Sequence, residues 1–300
     1  MNLSFKTYFI LKSLPKIGNV KALKISKRLN SNIESAGSFL KDYNTIRVDE
    51  KGLPELELSD ISSAFHSCEK EIEYSQKSNI KLVGYDDDDY PSNYRKIKDP
   101  PCILFVKGNI SKLNHEKKVA IIGSRDASDY AKEISKKLAN HLSKNEIVVV
   151  SGLAKGCDEY AHKGSLNGGF TIAILPSGLK NIYPSQNQEL ASQIVDAGGC
   201  LVTEYPSDTV ATKYNFVSRN RLQSSLSRAV ILVESKINGG SMKTIDFATE
   251  QKIKIYCWKH DKNFENPSLN SGNIELEKRP NIEIMKSTDD LVKMINSEFN

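Results

Sequence analysis

The chain has 300 residues, 39% of them hydrophobic and 26% charged, a balance that suits a folded globular protein and excludes extended disorder. No apolar run approaches the roughly 20 residues of a membrane span, and no small-residue cleavage site follows the brief apolar patch near the N-terminus, so no signal peptide is expected. The five cysteines are scattered and show no C-x-x-C spacing, which disfavours a disulfide framework and a zinc site and points to a reducing cytoplasm. A net charge of +5 permits nucleic acid as a partner without demanding it.

Residues 1 to about 75 read as a helical domain. Tyr8, Ile10, Leu11 and Leu14 open an apolar face, Pro15 to Asn19 make a turn, and Val20 to Leu29 start a second helix. Such a hairpin is either a DNA-phosphate contact or a plain element of a small bundle. Residues 76–116 read as a linker with a lead-in strand. The acidic run Asp86 to Asp89 is expected to be a solvated loop, and Pro100-Pro101 precede a strand at Ile103 to Val106.

Residues 117–300 change character. Apolar, β-branched runs at Val119–Ile122, Ile147–Val150, Thr171–Leu175, Leu201–Thr203, Val230–Val233 and Lys254–Trp258 alternate with stretches of helical period such as Ala131, Ile134, Leu138 and Leu142. Gly168-Gly169 and Gly198-Gly199 mark helix ends. The pattern predicts an extended Rossmann-like α/β domain: a mostly parallel sheet with helices on both faces. Lys259 to Asn273 read as loop, Ile282–Ile284 as a short strand, and Ser287–Ile295 as a closing helix capped by Ser287 or Thr288.

In such a sheet ligands bind beyond the carboxyl ends of the strands. The residues found there are Gly123-Ser124-Arg125 after the first strand, and Ser151-Gly152 with Lys155-Gly156 after the second. Pro176-Ser177-Gly178 follow the third, and Glu234-Ser235 with Asn238-Gly239-Gly240-Ser241 the fifth. Small residues and helix N-termini favour anions, and Arg125 adds a bidentate phosphate donor. The same loops also read as ordinary βα connections. The dinucleotide G-x-G-x-x-G and the P-loop signature are both absent, which disfavours NAD and ATP; no cofactor and no metal are expected.

Lys213-Tyr214-Asn215-Phe216 and Arg219-Asn220-Arg221 interleave cations with aromatics, the logic of single-strand binding; equally, Phe216 can be core and the arginines solvated. Asp158 and His162, one helical turn apart, read as structural partners of each other, with an acid–base pair as the alternative. Glu204 and Glu234 are expected to orient Arg125 or Arg219 through salt bridges.

The ordered motifs resemble one family. Tyr90-Pro91, Leu104 to Gly108, Val119 to Arg125, Val150 to Asp158, Ala161 to Gly164, Tyr183-Pro184, Glu204-Tyr205-Pro206 and Phe216 to Arg221 closely resemble the DprA/Smf family of DNA-processing proteins, from about Tyr90 to Glu250. The resemblance implies a dimeric, non-enzymatic protein that binds single-stranded DNA and brings RecA onto it during natural transformation. It implies that Arg125 and the backbone at Ser124 contact phosphate, that Lys213 and Phe216 line the strand, and that Arg219 and Arg221 complete a basic pocket. Departures are Ser241-Met242-Lys243 where members read Ser-Leu-Ile, Lys259-His260 where a Pro-Gly is usual, and no C-terminal winged helix before Asn300. The competing classes are a nucleotide-binding sensor and a nucleotide phosphoribohydrolase-like enzyme. The latter is weakened because Asn238 to Asp246 lack that group's Gly-Thr and carry Asp for Glu.

Overall fold

The computed structural model describes residues 3–29 and 35–299. The parts of the expected N-terminal helical region at 1–2 and 30–34 lie outside them. The chain divides into two compact units, Met1–Val106 and Lys107–Asn300.

The first unit holds four helices: α1 (Leu3–Ser13), α2 (Asn19–Ser26), α3 (Ala36–Asp49) and α4 (Leu58–Lys77). Two neighbouring strands follow, β1 (Ile80–Gly84) and β2 (Ile103–Gly108), the second crossing into the other unit. Its core is aromatic. Phe5 meets Phe105 edge-on with ring centroids 5.6 Å apart, and Tyr90, fully buried, donates its hydroxyl to the Pro101 carbonyl at 2.7 Å. β1 lies in the stretch expected to be linker. The acidic run beside it serves the backbone: Asp87 accepts the Gly84 N–H at 2.6 Å.

The second unit is built on a parallel sheet. Its strands are β3 (Lys118–Ile122), β4 (Val148–Ser151), β5 (Thr171–Ile174), β6 (Cys200–Thr203), β7 (Ala229–Leu232), β8 (Lys254–Trp258) and β9 (Ile282–Met285). Their order is β6-β5-β4-β3-β7-β8-β9, every pair parallel. β3 to β7 are buried at every position, because helices cover both faces, and this is why they read in the sequence as unbroken apolar runs. The helices are α5 (Asp129–Lys144), α6 (Cys157–Ser165), α7 (Gln188–Asp196), α8 (Lys213–Leu226), α9 (Gly240–Glu250), α10 (Pro267–Leu276) and α11 (Thr288–Phe299).

Local chemistry sets the ends. Ser128 accepts the Ala131 N–H and starts α5; Thr212 accepts the Asn215 N–H and starts α8. Ser287 accepts the Asp290 N–H ahead of α11. Gly198, at φ +83°, closes the turn after α7. The stretch 259–273, expected to be loop, contains the start of α10. Asn266 caps it and Pro267 occupies its first turn, a start signal that outweighed the polar composition.

Successive strands β3 to β6 run out one way from β3, and β7 returns to its other side. The sheet therefore reverses between β3 and β7, which opens a crevice at their carboxyl ends.

One close approach fixes the helical layer beside β4. A Cβ at Gly164 of α6 would lie 2.2 Å from the Lys136 carbonyl oxygen of α5. Gly164→Ala is expected to destabilise the protein by about 1–3 kcal/mol, as overpacking does; an unshifted urea midpoint would show that the two helices can part freely.

Candidate nucleic-acid interface

The crevice between β3 and β7 is a cleft of about 450 Å³. It brings together nine of the residues expected from the sequence to hold phosphate or DNA: Gly123, Ser124, Arg125, Lys213, Phe216, Arg219, Asn220, Gly240 and Ser241. Asp126, Gln223, Lys236 and Asn238 also line it. Asn238 belongs to the loop singled out in the sequence after the fifth strand; Asp126, Gln223 and Lys236 carry no local signature and become visible only once α8 and the β7–α9 loop face the first loop.

The first loop, 123–128, is clamped at both ends by one residue. The Ser124 N–H donates to the Glu234 carbonyl at 2.7 Å. The Glu234 carboxylate, buried, accepts the Ser128 N–H at 2.9 Å and its hydroxyl at 2.6 Å. Ser241 ties the same loop to α9, donating to the Gly123 carbonyl at 2.6 Å. A Cβ on Gly123 would fall 2.3 Å from the Cys157 sulfur, so the loop lies flat on α6. Glu234 thus orients Arg125 through the backbone and the Ser128 cap, not through the salt bridge the sequence led us to expect.

Arg219 forms the floor. Only 3% of it is exposed. Its Nη1 donates to the Ile174 carbonyl at 2.9 Å, and its Nε meets no partner within the protein. The guanidinium occupies the space above Gly152, where a Cβ would come 1.5 Å from Nη1. Burial lowers Arg219 to about 10, opposed by the nearby Asp158 charge, so the side chain stays cationic at neutral pH. Burial raises the Asp158 carboxyl, and the Arg219 charge pulls it back.

Asp158 and His162 do not bond to each other. Each holds the turn after β4: Asp158 accepts the Gly152 N–H at 3.2 Å and His162 Nε2 accepts the Leu153 N–H at 3.3 Å. Leu153 has φ +57°, a left-handed conformation that a non-glycine residue holds only when its surroundings enforce it. The Thr171 hydroxyl donates to the Val149 carbonyl at 2.6 Å, so it accepts from His162 Nδ1–H at 2.9 Å. The neutral imidazole is fully satisfied, and burial, aided by the Arg219 charge, depresses its pKa to about 3.

At the mouth, the exposed Arg125 guanidinium lies 4.1 Å from the centre of the Phe216 ring. Tyr183 meets the same ring edge-on at 5.2 Å. Lys213 stands exposed at the first position of α8.

Five residues named from the sequence do not reach this cleft. Arg221 turns away and forms a two-pronged ion pair with Glu204 at 2.5 and 2.8 Å. Residues two apart on a helix cannot share a face, so Arg219 and Arg221 never act as one pocket. Ser151 is buried and donates to the Ile121 carbonyl at 2.7 Å. Gly152 lies beneath Arg219. Gly156, at φ +74°, lets α6 start against the Ser124 and Arg125 backbone. Lys155 points to solvent beside it. Among the described residues no cluster of three or more potential metal ligands occurs, and no helix is long and apolar enough to cross a membrane. All five cysteines are free and buried.

The crevice, with its cationic walls, backbone loops and aromatic rim, lies at the switch point of a Rossmann-like α/β protein. The chain belongs to the DNA recombination-mediator protein A family, whose sequence profile matches residues 81–296, as the DprA/Smf resemblance implied. It is 35% identical to Protein Smf of Escherichia coli over 192 residues, 64% of this chain and 51% of that protein. The chain therefore spans about half the length of this relative. Its fold matches DNA processing protein A of Streptococcus pneumoniae with a TM-score of 0.69 at 28% identity, covering 95% of this chain and 99% of that one. It also matches DNA processing protein A of Helicobacter pylori, a structure described for its single-stranded DNA binding mode. There the TM-score is 0.65 at 28% identity, with 74% of this chain and 99% of that one covered.

The depressed His162 pKa has a stability consequence with a definite sign. The unfolded chain binds this proton below about 6.5 and the folded one only near 3. The stabilisation is complete above pH 6.5 and is lost as pH falls through that window, by up to about 1.4 kcal/mol per pH unit. His162→Gln should flatten this part of the stability–pH curve; equal slopes in both proteins between pH 6 and pH 4 would place the titration elsewhere.

Proposed function

We propose that this cleft holds the phosphates of single-stranded DNA and that the protein is a binding module without catalytic activity. The observation that carries the reading is the Arg125 guanidinium stacked on Phe216 at the mouth of a cleft floored by the buried, charged Arg219. A cation layered on an aromatic ring is held in position to grip a phosphate, and an aromatic rim beside it suits an unpaired strand. The α9 N-terminus at Gly240 and Ser241 adds N–H donors suited to anions. Asp158 and Glu234 are engaged in holding backbone, and the remaining carboxylate of the cleft, Asp126, is exposed at its edge. Family membership supports the further proposal that a homodimer hands the strand to RecA in the cytoplasm.

Oligo-dT titrations at several salt concentrations test this. The affinity should fall steeply with salt, and Arg125→Ala and Lys213→Ala should each weaken binding irrespective of sequence. Each should also reduce the salt slope by about 0.7 for every phosphate that the variant no longer neutralises. Unchanged affinity and slope in both variants would move the site away from this cleft.

A further inference from the structure

We infer that Tyr183 is a base-stacking residue, and that it confers the preference for a single strand over duplex. The inference rests on the proposal that the cleft holds DNA phosphates. Phosphate contacts are available on both forms of DNA, so the cations of the cleft cannot by themselves tell one from the other. Discrimination needs an aromatic surface open to an unpaired base.

Phe216 is poorly placed to supply it. Its ring is half-buried, with the Arg125 guanidinium 4.1 Å from its centre and Tyr183 against it at 70° and 5.2 Å. Arg125 and Tyr183 therefore both contact the Phe216 ring. Of the two aromatic rings Tyr183 is the open one, with 45% of its surface exposed. Its ring lies no farther from Arg125 than those two separations laid end to end. A strand with one phosphate on Arg125 can therefore lay a neighbouring base on Tyr183.

The loop that presents Tyr183 is fixed before any ligand arrives. The Gly178 N–H donates to the Thr209 carbonyl at 2.9 Å and the Lys180 N–H to the Ser207 carbonyl at 3.2 Å. Ser177 donates to the Asn181 carbonyl at 2.6 Å, and Asn181 donates in turn to the Asp208 carbonyl at 2.9 Å. On the far side of Tyr183, Asn187 donates to the Leu153 carbonyl at 2.8 Å. Gly178 packs where a Cβ would lie 2.0 Å from the Pro206 carbonyl oxygen. An exposed aromatic ring on so constrained a loop gives up little conformational entropy on stacking.

The test compares Tyr183→Ala, Tyr183→Phe and Arg125→Ala in the full chain, each titrated with oligo-dT and with a blunt duplex of equal length. Thermal unfolding checks the fold of every variant. Tyr183→Ala should weaken oligo-dT binding roughly five- to a hundredfold and leave duplex binding within about twofold of the parent. Tyr183→Phe should retain the preference, because the ring and not the hydroxyl meets the base. Arg125→Ala should weaken both DNA forms. If Tyr183→Ala binds oligo-dT like the parent while Arg125→Ala does not, Tyr183 does not touch the strand and the inference falls, with the cleft reading intact. An equal loss on both DNA forms in Tyr183→Ala also overturns it, because that marks a structural role. If Arg125→Ala binds normally as well, the cleft reading itself fails.

Discussion

The candidate site depends on one buried cation. The Arg219 guanidinium fills the space left by the missing side chain of Gly152, donates to the end of β5 through Ile174, and faces the Asp158 carboxyl of α6. These contacts join α8 to the β4 turn, to β5 and to α6 in one place. An isolated charge so deep is costly unless other groups compensate it. Here the compensation is a carbonyl and a nearby acidic charge, while Nε stays buried without a partner within the protein. The position of Phe216 and Lys213, about one and two turns earlier on α8, follows from where Arg219 is seated.

The opposing wall is set by a different device. Glu234 grips the backbone at Ser124 and the cap at Ser128, so Arg125 is held on a short span between two fixed points. Neither wall relies on a salt bridge to its ligand-facing cation. Arg125 and Lys213 remain exposed, while the buried charges below them do the positioning. The departure from the usual family pattern at Met242-Lys243 leaves the neighbouring Ser241 in place. The Ser241 hydroxyl still ties the Gly123 carbonyl to α9, and Met242 and Lys243 follow on that helix.

Much of the fold was legible because a parallel sheet covered on both faces needs continuous apolar strands. β8 lies at Lys254–Trp258 as read, and the other core strands differ by a residue or so at their ends. β1 escaped because Ile80 to Gly84 is short and leads into Asp86 to Asp89, so charge masked its pattern. α10 escaped because its signal is a cap and a proline in an otherwise polar stretch. Within the site, the loop residues were legible from their place after each strand. What was not legible is which cations face the ligand. Arg219 and Arg221 read as a pair in sequence, yet helical geometry points one at the cleft floor and the other at Glu204. Tyr183 stands out in the sequence only as half of a family motif. Its partner Phe216 is brought to it by the fold alone.

Gly152→Ala tests most directly whether Arg219 seats the site. A methyl group at this position would occupy the space of the buried guanidinium and force it from its carbonyl partner. The account predicts a loss of unfolding free energy of about 3 kcal/mol or more, together with a weakened hold on oligo-dT, measured by urea denaturation and titration of the same sample. An unaltered unfolding free energy with unaltered oligo-dT affinity would contradict it, and would mean that α8 is held in place by something other than this cation.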